Sequence, residues 1–472
     1  IMAEGKTRNR MRLAFGIFIL FLPCAYLSAE ESDSLIMDLN VAEQLAQKNS
    51  IDLQLQNVER SLFQANILEK WRAFLPQLRV SYLNNEQVRI RDFDTRSHQM
   101  RVDVTQPVYD GGRMSLAYDL SKLDVSLSIY KYRQLRNKVI LETRSNFFRL
   151  LQAIHTVQSR ERSAERAELQ AKLSKKEFEV GTLTKIEYLD VVSKYKQIVT
   201  SLIKEKRDFE TLELTFKQGL RLSPALELLI DKETLHKLTF REIDRKFEDL
   251  FAIAMSNRPE VEQRRVDMLR LRKEYEIAEA YYYPRISLTG NYNLSGDRFF
   301  PQENGWGIGI IVTSNMLGNT VRETPRSNVG ANGFTQGYST DTSVGIFEDL
   351  SYRRQKIESG MNLKRGIFER DRLPDQLAIE VKNALVSAEH NYEIFKIAEE
   401  AEKVLSERIQ IQSVKVRLGQ LKRVDLMLAE IEYLGVAQNF IKAKADYLIS
   451  LGVLENTMGV KTDYLGLINY NR

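Results

Sequence analysis

Residues 113–180 read RMSLAYDLSKLDVSLSIYKYRQLRNKVILETRSNFFRLLQAIHTVQSRERSAERAELQAKLSKKEFEV, which is 68 residues without a glycine or a proline. Nothing in this stretch breaks a helix, and Leu, Ala, Glu, Lys, Gln and Arg favour one. At 1.5 Å per residue such a helix is roughly 100 Å long. A compact domain is only about 30–40 Å across, so the helix must pack beside others as an extended coiled coil. Its charges are spread around the helix, which suits a wall with water on both sides. Gly181 interrupts it, and a second clean stretch runs from Thr182 to Gln218. The pair predicts a long antiparallel helical hairpin with its tip at Gly181.

The hairpin occurs twice. A shift of 208 residues places Ala46 on Ala254, Asn49 on Asn257, Val58 on Val266, Pro76 on Pro284, Asn85 on Asn293 and Thr105 on Thr313. Farther along, a shift of 238 places Glu142 on Glu380, Gly181 on Gly419, Leu183 on Leu421, Glu187 on Asp425, Tyr195 on Tyr433 and Asp208 on Asp446. The 30-residue difference marks an insertion within residues 318–345, whose Gly, Asn, Ser and Thr content reads as a loop. In the second copy, Gly360, Gly366 and Pro374 are expected to kink or locally break the long arm.

Each copy reads as helix, two strands, then two helices. Residues 37–74 are helical in period, and Pro76 ends that run. The alternation at Leu78-Arg79-Val80-Ser81-Tyr82 and Met100-Arg101-Val102-Asp103-Val104-Thr105 is strand spacing. The second copy repeats it at Ile286-Ser287-Leu288-Thr289 and Ile308-Gly309-Ile310-Ile311-Val312-Thr313. Two hairpins give four strands per chain, each long enough to cross a bilayer when tilted. One face carries Leu78, Val80, Tyr82, Val102, Val104, Ile286, Leu288, Tyr292, Ile308, Ile310 and Val312. The other carries Arg79, Ser81, Arg101, Asp103, Thr105, Ser287, Thr289 and Asn291. Apolar-out and polar-in is the pattern of a water-filled barrel in lipid. Four strands cannot close one, so the barrel must be shared between chains.

Composition narrows the function. The 472 residues hold 28% charged and 43% hydrophobic residues, with 23 Gly and 9 Pro, which excludes a disordered tail and a polytopic helical membrane protein. The +5 net charge comes from interspersed residues, giving nucleic-acid binding no support. Cys24 is the single cysteine, so no internal disulfide or thiolate cluster forms. His98, His155, His236 and His390 are scattered without metal-ligand spacing. No nucleophile-elbow or zinc-protease motif occurs, so neither catalysis nor a cofactor is expected. Asp110-Gly111-Gly112-Arg113 lacks the spacing and lysine of a phosphate loop and reads as a strand-to-helix turn.

The start reads as an export signal over residues 1–29. Lys6, Arg8, Arg10 and Arg12 precede an apolar run from Leu13 to Leu22 and a cleavage site at Leu27-Ser28-Ala29. Pro23 fits poorly with lipidation of Cys24. Two repeats are then expected over residues 30–221 and 247–460, with an inter-repeat segment over 222–246 and a tail over 461–472.

This arrangement resembles the TolC-like outer membrane efflux protein family, over about residues 37–460. The resemblance is carried by the duplication and by the junctions Phe74-Leu75-Pro76-Gln77-Leu78 and Tyr283-Pro284-Arg285-Ile286. It also rests on Gln106-Pro107-Val108-Tyr109-Asp110-Gly111-Gly112-Arg113 and on the tips Val180-Gly181-Thr182-Leu183 and Leu418-Gly419-Gln420-Leu421. It implies a mainly α chain with a membrane β-barrel: a homotrimer whose twelve strands, four per chain, continue into a long periplasmic α-helical barrel. It further implies an exit duct for efflux or type I secretion, partnered by a periplasmic adaptor (membrane fusion) protein and an inner-membrane pump. Residues 222–246 and 461–472 would form an equatorial belt. A pore-less periplasmic coiled-coil scaffold or adaptor is the alternative; the duplicated strand–helix plan argues against it.

The tips are the candidate sites. In the family, acidic residues past the second tip narrow the periplasmic entrance, and Asp425 matches the first such position; the next is Leu428 here. The first copy supplies Glu187 and Asp190 on one helical face. A ring of symmetry-related carboxylates would attract cations. Gly181, Leu183, Gly419 and Leu421 are candidate adaptor contacts, although glycine is expected at a helix reversal anyway. Lys185, Lys422 and Arg423 lie nearby. Tyr281, Tyr282 and Tyr283 suit either a membrane-interface belt or packing at the helix end.

Overall fold

The computed structural model describes residues 34–87, 95–230, 238–316, 319–330, 336–347, 351–421, 423–461 and 463–470. The export signal expected over residues 1–29, with Cys24, lies outside these, as do His236 and Lys422. The first repeat runs α1 (Leu39–Asn49), α2 (Ile51–Arg72), β2 (Gln77–Gln87), β3 (Thr95–Tyr109), α3 (Arg113–Glu179) and α4 (Lys185–Leu220). The second runs α5 (Phe247–Asn257), α6 (Pro259–Glu279), β6 (Arg285–Gly296), β7 (Glu303–Met316), β8 (Asn319–Val329), β9 (Gln336–Gly345), α7 (Ser351–Arg417) and α8 (Arg423–Thr457). Short strands β1 (Ser34–Met37), β4 (Glu227–Ile230), β5 (Leu238–Phe240) and β10 (Ile468–Tyr470) complete the order.

The long helices are as long as their sequences allow: α3 and α7 have 67 residues each. The expected break in the second arm does not occur, because α7 runs unbroken through Gly360, Gly366 and Pro374. Gly366 is a packing residue. A Cβ there would collide with Leu271 Cδ1 and sit 3.2 Å from Met268 Sδ, so its absence lets α6 lie close against α7. The single helix expected before Pro76 is two. Ser50 is extended (φ −62°, ψ 117°), ends α1, and caps α2 by accepting from the Leu53 N–H. Arg258, its partner at the shift of 208, is likewise extended and ends α5, but it gives α6 no side-chain cap; Pro259 stands at the first helical position instead.

The insertion departs most from expectation. It is a β-hairpin, not a loop: β8 and β9 extend one antiparallel sheet of order β2-β3-β6-β7-β8-β9. The sheet therefore has six strands where four were expected. Tyr338, Thr340, Thr342 and Val344 alternate along β9, which suits a pleated surface, and the eleven residues of β8 begin at Asn319, three positions after β7 ends at Met316. The β7–β8 ladder skips Ile310 and Ile311 opposite Pro325 and Thr324, where Pro325 has no N–H to give. Elsewhere the register joins like to like: Leu78 to Val104, Val80 to Val102, Leu288 to Ile310 and Ile286 to Val312 on one face, Arg79 to Asp103 and Ser81 to Arg101 on the other.

Two buried clusters lie midway along the helices, and the repeat shifts relate them. Ala42, Ala46, Phe147, Leu150, Phe216 and Leu220 of the first occupy places taken by Leu250, Ala254, Leu385, Ala388, Leu454 and Met458 in the second. Around them, β1 pairs parallel with β4 and β5 antiparallel with β10, so the inter-repeat segment and the C-terminal tail wrap the helices at one level. Arg144 ties this belt together. Its Nε donates to Glu43 at 2.5 Å, and its guanidinium lies 4.0 Å from Glu455. Glu455 also accepts from the backbone of Asp463 and Leu465 in the tail. Burial nevertheless pushes its carboxyl above the usual range.

The repeats diverge at one buried position. Lys206 pairs with Glu161 at 2.7 Å, half exposed. Its counterpart Lys444 is only 4% exposed and lies over the rings of Phe240 and Phe440. Burial lowers its ammonium to about 8, against the opposing pull of Glu399.

Candidate functional site

Both tips are built by the same backbone device. After α3, Gly181 takes φ 80°; its N–H donates to Phe178 O, and the Thr182 N–H reaches back to Glu177 O at 2.9 Å. After α7, Gly419 takes φ 73°; its N–H donates to Val416 O, and the Gln420 N–H reaches Lys415 O at 2.9 Å. These are the left-handed caps of helix C-termini, which strain any residue but glycine. Nothing lies within 4 Å of the missing Cβ at either position, so backbone conformation alone, not close packing, requires these glycines.

The expected site residues divide by role. Glu187 is the third residue of α4 and closes a capping box. Its N–H donates to Thr184 Oγ1, while its Oε2 accepts from the Thr184 N–H at 3.0 Å and hydroxyl at 2.8 Å. Asp425 stands at the matching place in the first turn of α8 and is exposed. Asp190 is exposed one turn beyond Glu187. Leu183 and Leu421 are half-buried, and Lys185 is exposed at the start of α4. At both tips an acidic residue sits on the positive end of a helix, where a carboxylate is favoured.

Sequence reasoning missed the apolar rim of the tips. Val180 is 79% exposed, Ile186 74% and Leu418 65%. Phe178 stacks on Tyr188 at 5.4 Å and holds the two arms of the first hairpin together. Flanking each glycine with an aliphatic residue was the available signal.

The sheet is the second functional surface. Leu78, Val80, Tyr82, Leu288, Tyr292, Trp306, Ile308 and Ile310 all exceed 40% exposure on one face. Among the described residues, no helix covers them. The opposite face carries the Arg101–Asp103 pair at 2.7 Å and a polar recess of about 630 Å³ between Arg285, Thr313 and Arg322. No helix among the described residues is long and apolar enough to cross a membrane. The tyrosines before Pro284 pack at the helix end: Tyr281 stacks on Tyr352, and Tyr282 meets it edge-on. Asp110–Gly112 forms the expected turn, with Asp110 Oδ2 accepting from the Met114 N–H at 2.7 Å.

Residues 42–213, most of the first repeat, match the model of the outer membrane efflux protein family. The family resembled in sequence is thus the one found by comparison. Among solved structures, the chain is similar to the CmeC outer membrane channel of Campylobacter jejuni, at 16% identity and a TM-score of 0.70 over 89% of this chain and 85% of that one. It is similar to the MtrE outer membrane channel of Neisseria gonorrhoeae at 12% identity and a TM-score of 0.68, covering 89% of both chains. The outer membrane protein VceC of Vibrio cholerae matches at 11% identity and a TM-score of 0.66 over 89% of this chain and 96% of that one. No curated protein matches the chain.

Proposed function

We propose, from a first repeat matched to the outer membrane efflux protein family and a chain-long fold shared with outer membrane channels, that this chain is the exit duct of a tripartite efflux or type I secretion machine. One observation carries the reading: an antiparallel sheet leaves most of its apolar face exposed while its other face is polar. In water such a patch is a liability; in lipid it is the outside of a barrel. An open sheet from one chain leaves two edges unpaired, which a bilayer does not tolerate. Closure by three copies places the polar face around a water-filled lumen in the outer membrane.

The 67-residue helices then continue the wall into the periplasm for roughly 100 Å. Transport through this duct is passive, and an inner-membrane pump supplies the energy. The tips face the periplasm. Gly181, Leu183, Gly419 and Leu421, with the exposed Val180, Ile186 and Leu418, offer an apolar rim to a periplasmic adaptor. Asp425 supplies a ring of carboxylates at the entrance. Asp190 adds to it, while Glu187 is held by its cap.

The test is the mass of the mature protein in mild detergent, followed by conductance in planar bilayers. A trimer that opens ion-conducting pores is expected. A monomer soluble without detergent would overturn the duct and favour a pore-less scaffold.

A further inference from the structure

The sheet has two free edges, β2 and β9, because the β8–β9 hairpin occupies the edge of β7. The hairpin is integral to the sheet. On its polar face β7 carries Gly305, Gly307 and Gly309. Their missing Cβ atoms would meet Asn293 Oδ1 at 3.0 Å, Asn328 Oδ1, and Arg326 Cγ at 2.9 Å. Two of those three side chains come from β8, so β7 is shaped to receive β8 beside it.

The outer face continues across the hairpin. Paired residues run in one row from Leu78 through Val104, Gly290, Ile308 and Ser327 to Tyr338. Tyr338 and Val344 of β9 are 77% and 57% exposed on that face, as Leu78 and Val80 of β2 are at 68% and 58%. Tyr292 and Trp306 pair directly in one row, with Tyr82 two residues to one side of that row on β2 and Tyr338 two residues to the other side on β9, the overall slant of a level aromatic girdle on tilted strands. The edges also match each other. In an all-antiparallel sheet of six, the first and last strands run oppositely, and β2 and β9 have 11 and 10 residues. Neither carries a proline or a lysine to blunt it.

We infer that β9 of one copy pairs antiparallel with β2 of the next, so that each chain gives six strands to the shared barrel and three copies close an eighteen-stranded one. This rests on the shared-barrel reading above. Diameter grows about linearly with strand number, so the outer-membrane exit is about one and a half times as wide as a twelve-stranded one. The hairpin also adds Arg322 and Arg326 to the lumen-facing side, in line with Thr313 and Gly309.

Disulfide trapping in native membranes tests this. On a full-length Cys24→Ser background, Ser81→Cys in β2 is paired in turn with Ser339→Cys, Asp341→Cys and Ser343→Cys in β9, and separately with Thr313→Cys in β7. All lie on the polar face, and a disulfide needs Cα atoms within about 7 Å. The expected result is covalent dimer and trimer from at least one β9 pair, at tenfold or more over the Thr313 pair. Cross-linking at Thr313 with none at β9 would place the hairpin outside the wall; it would overturn the inference and leave the shared channel intact. A protein of trimeric mass without any cross-link also overturns the inference. A monomeric mass without cross-links removes the shared barrel itself.

Discussion

Glu187 and Thr184 cap each other at the start of α4, the carboxylate 3.0 Å from the Thr184 N–H and 2.8 Å from its hydroxyl. The same acidic position in the second repeat, Asp425, opens α8. Replacing Thr184 by alanine should cost about 1 kcal/mol. It should raise amide hydrogen exchange over Lys185–Tyr188 and leave the second tip unchanged.

Asp425 and Glu187 should therefore differ in what they do to conduction. Asp425→Ala removes three charges from the entrance of the proposed trimer, and the cation-to-anion permeability ratio in planar bilayers should fall several-fold. Glu187→Ala should change that ratio less and stability more. An equal loss of selectivity in both variants would refute the division of roles.

Gly366 and Gly419 are needed for opposite reasons. Gly366→Ala drives a methyl into Leu271 and Met268, and overpacking of this kind costs about 1–3 kcal/mol. Gly419→Ala has open space but a φ of 73°, a strain of about 1–2 kcal/mol. A second substitution, Leu271→Ala, should rescue the first and not the second, as read by denaturant midpoints in detergent.

Lys444 should give the fold a pH dependence. Its ammonium is lowered to about 8 by burial, against about 10.4 in an unfolded chain. Between those values the unfolded chain holds more protons, so this group makes stability rise with pH. Its penalty is full below about 8 and gone above about 10.4. Lys444→Met should thus stabilise the protein near pH 7 by roughly 2–3 kcal/mol, with the gain vanishing by pH 10.5. A gain independent of pH would point to packing alone.

Much of this architecture is written locally. A glycine- and proline-free run of strong helix formers reads as one long helix, the glycine at its end marks the turn, and a period of two across Leu78–Tyr82 and Ile308–Val312 assigns each strand its faces. The duplication follows from register shared along the chain. Those features depend on neighbours a few residues away, so sequence alone determined the helical hairpins, their tips and the apolar and polar sides of the first four strands. The insertion was different. Polar, glycine-containing segments such as Gln336–Gly345 become strands only when a neighbouring edge takes up their N–H and C=O groups, and the β7 edge lies outside their own sequence. Likewise, Gly366 looks like a helix breaker until Leu271 and Met268 of α6 take the space its side chain would fill. Tertiary structure decided those cases because each turns on which group lies opposite, a long-range fact that local propensity does not encode.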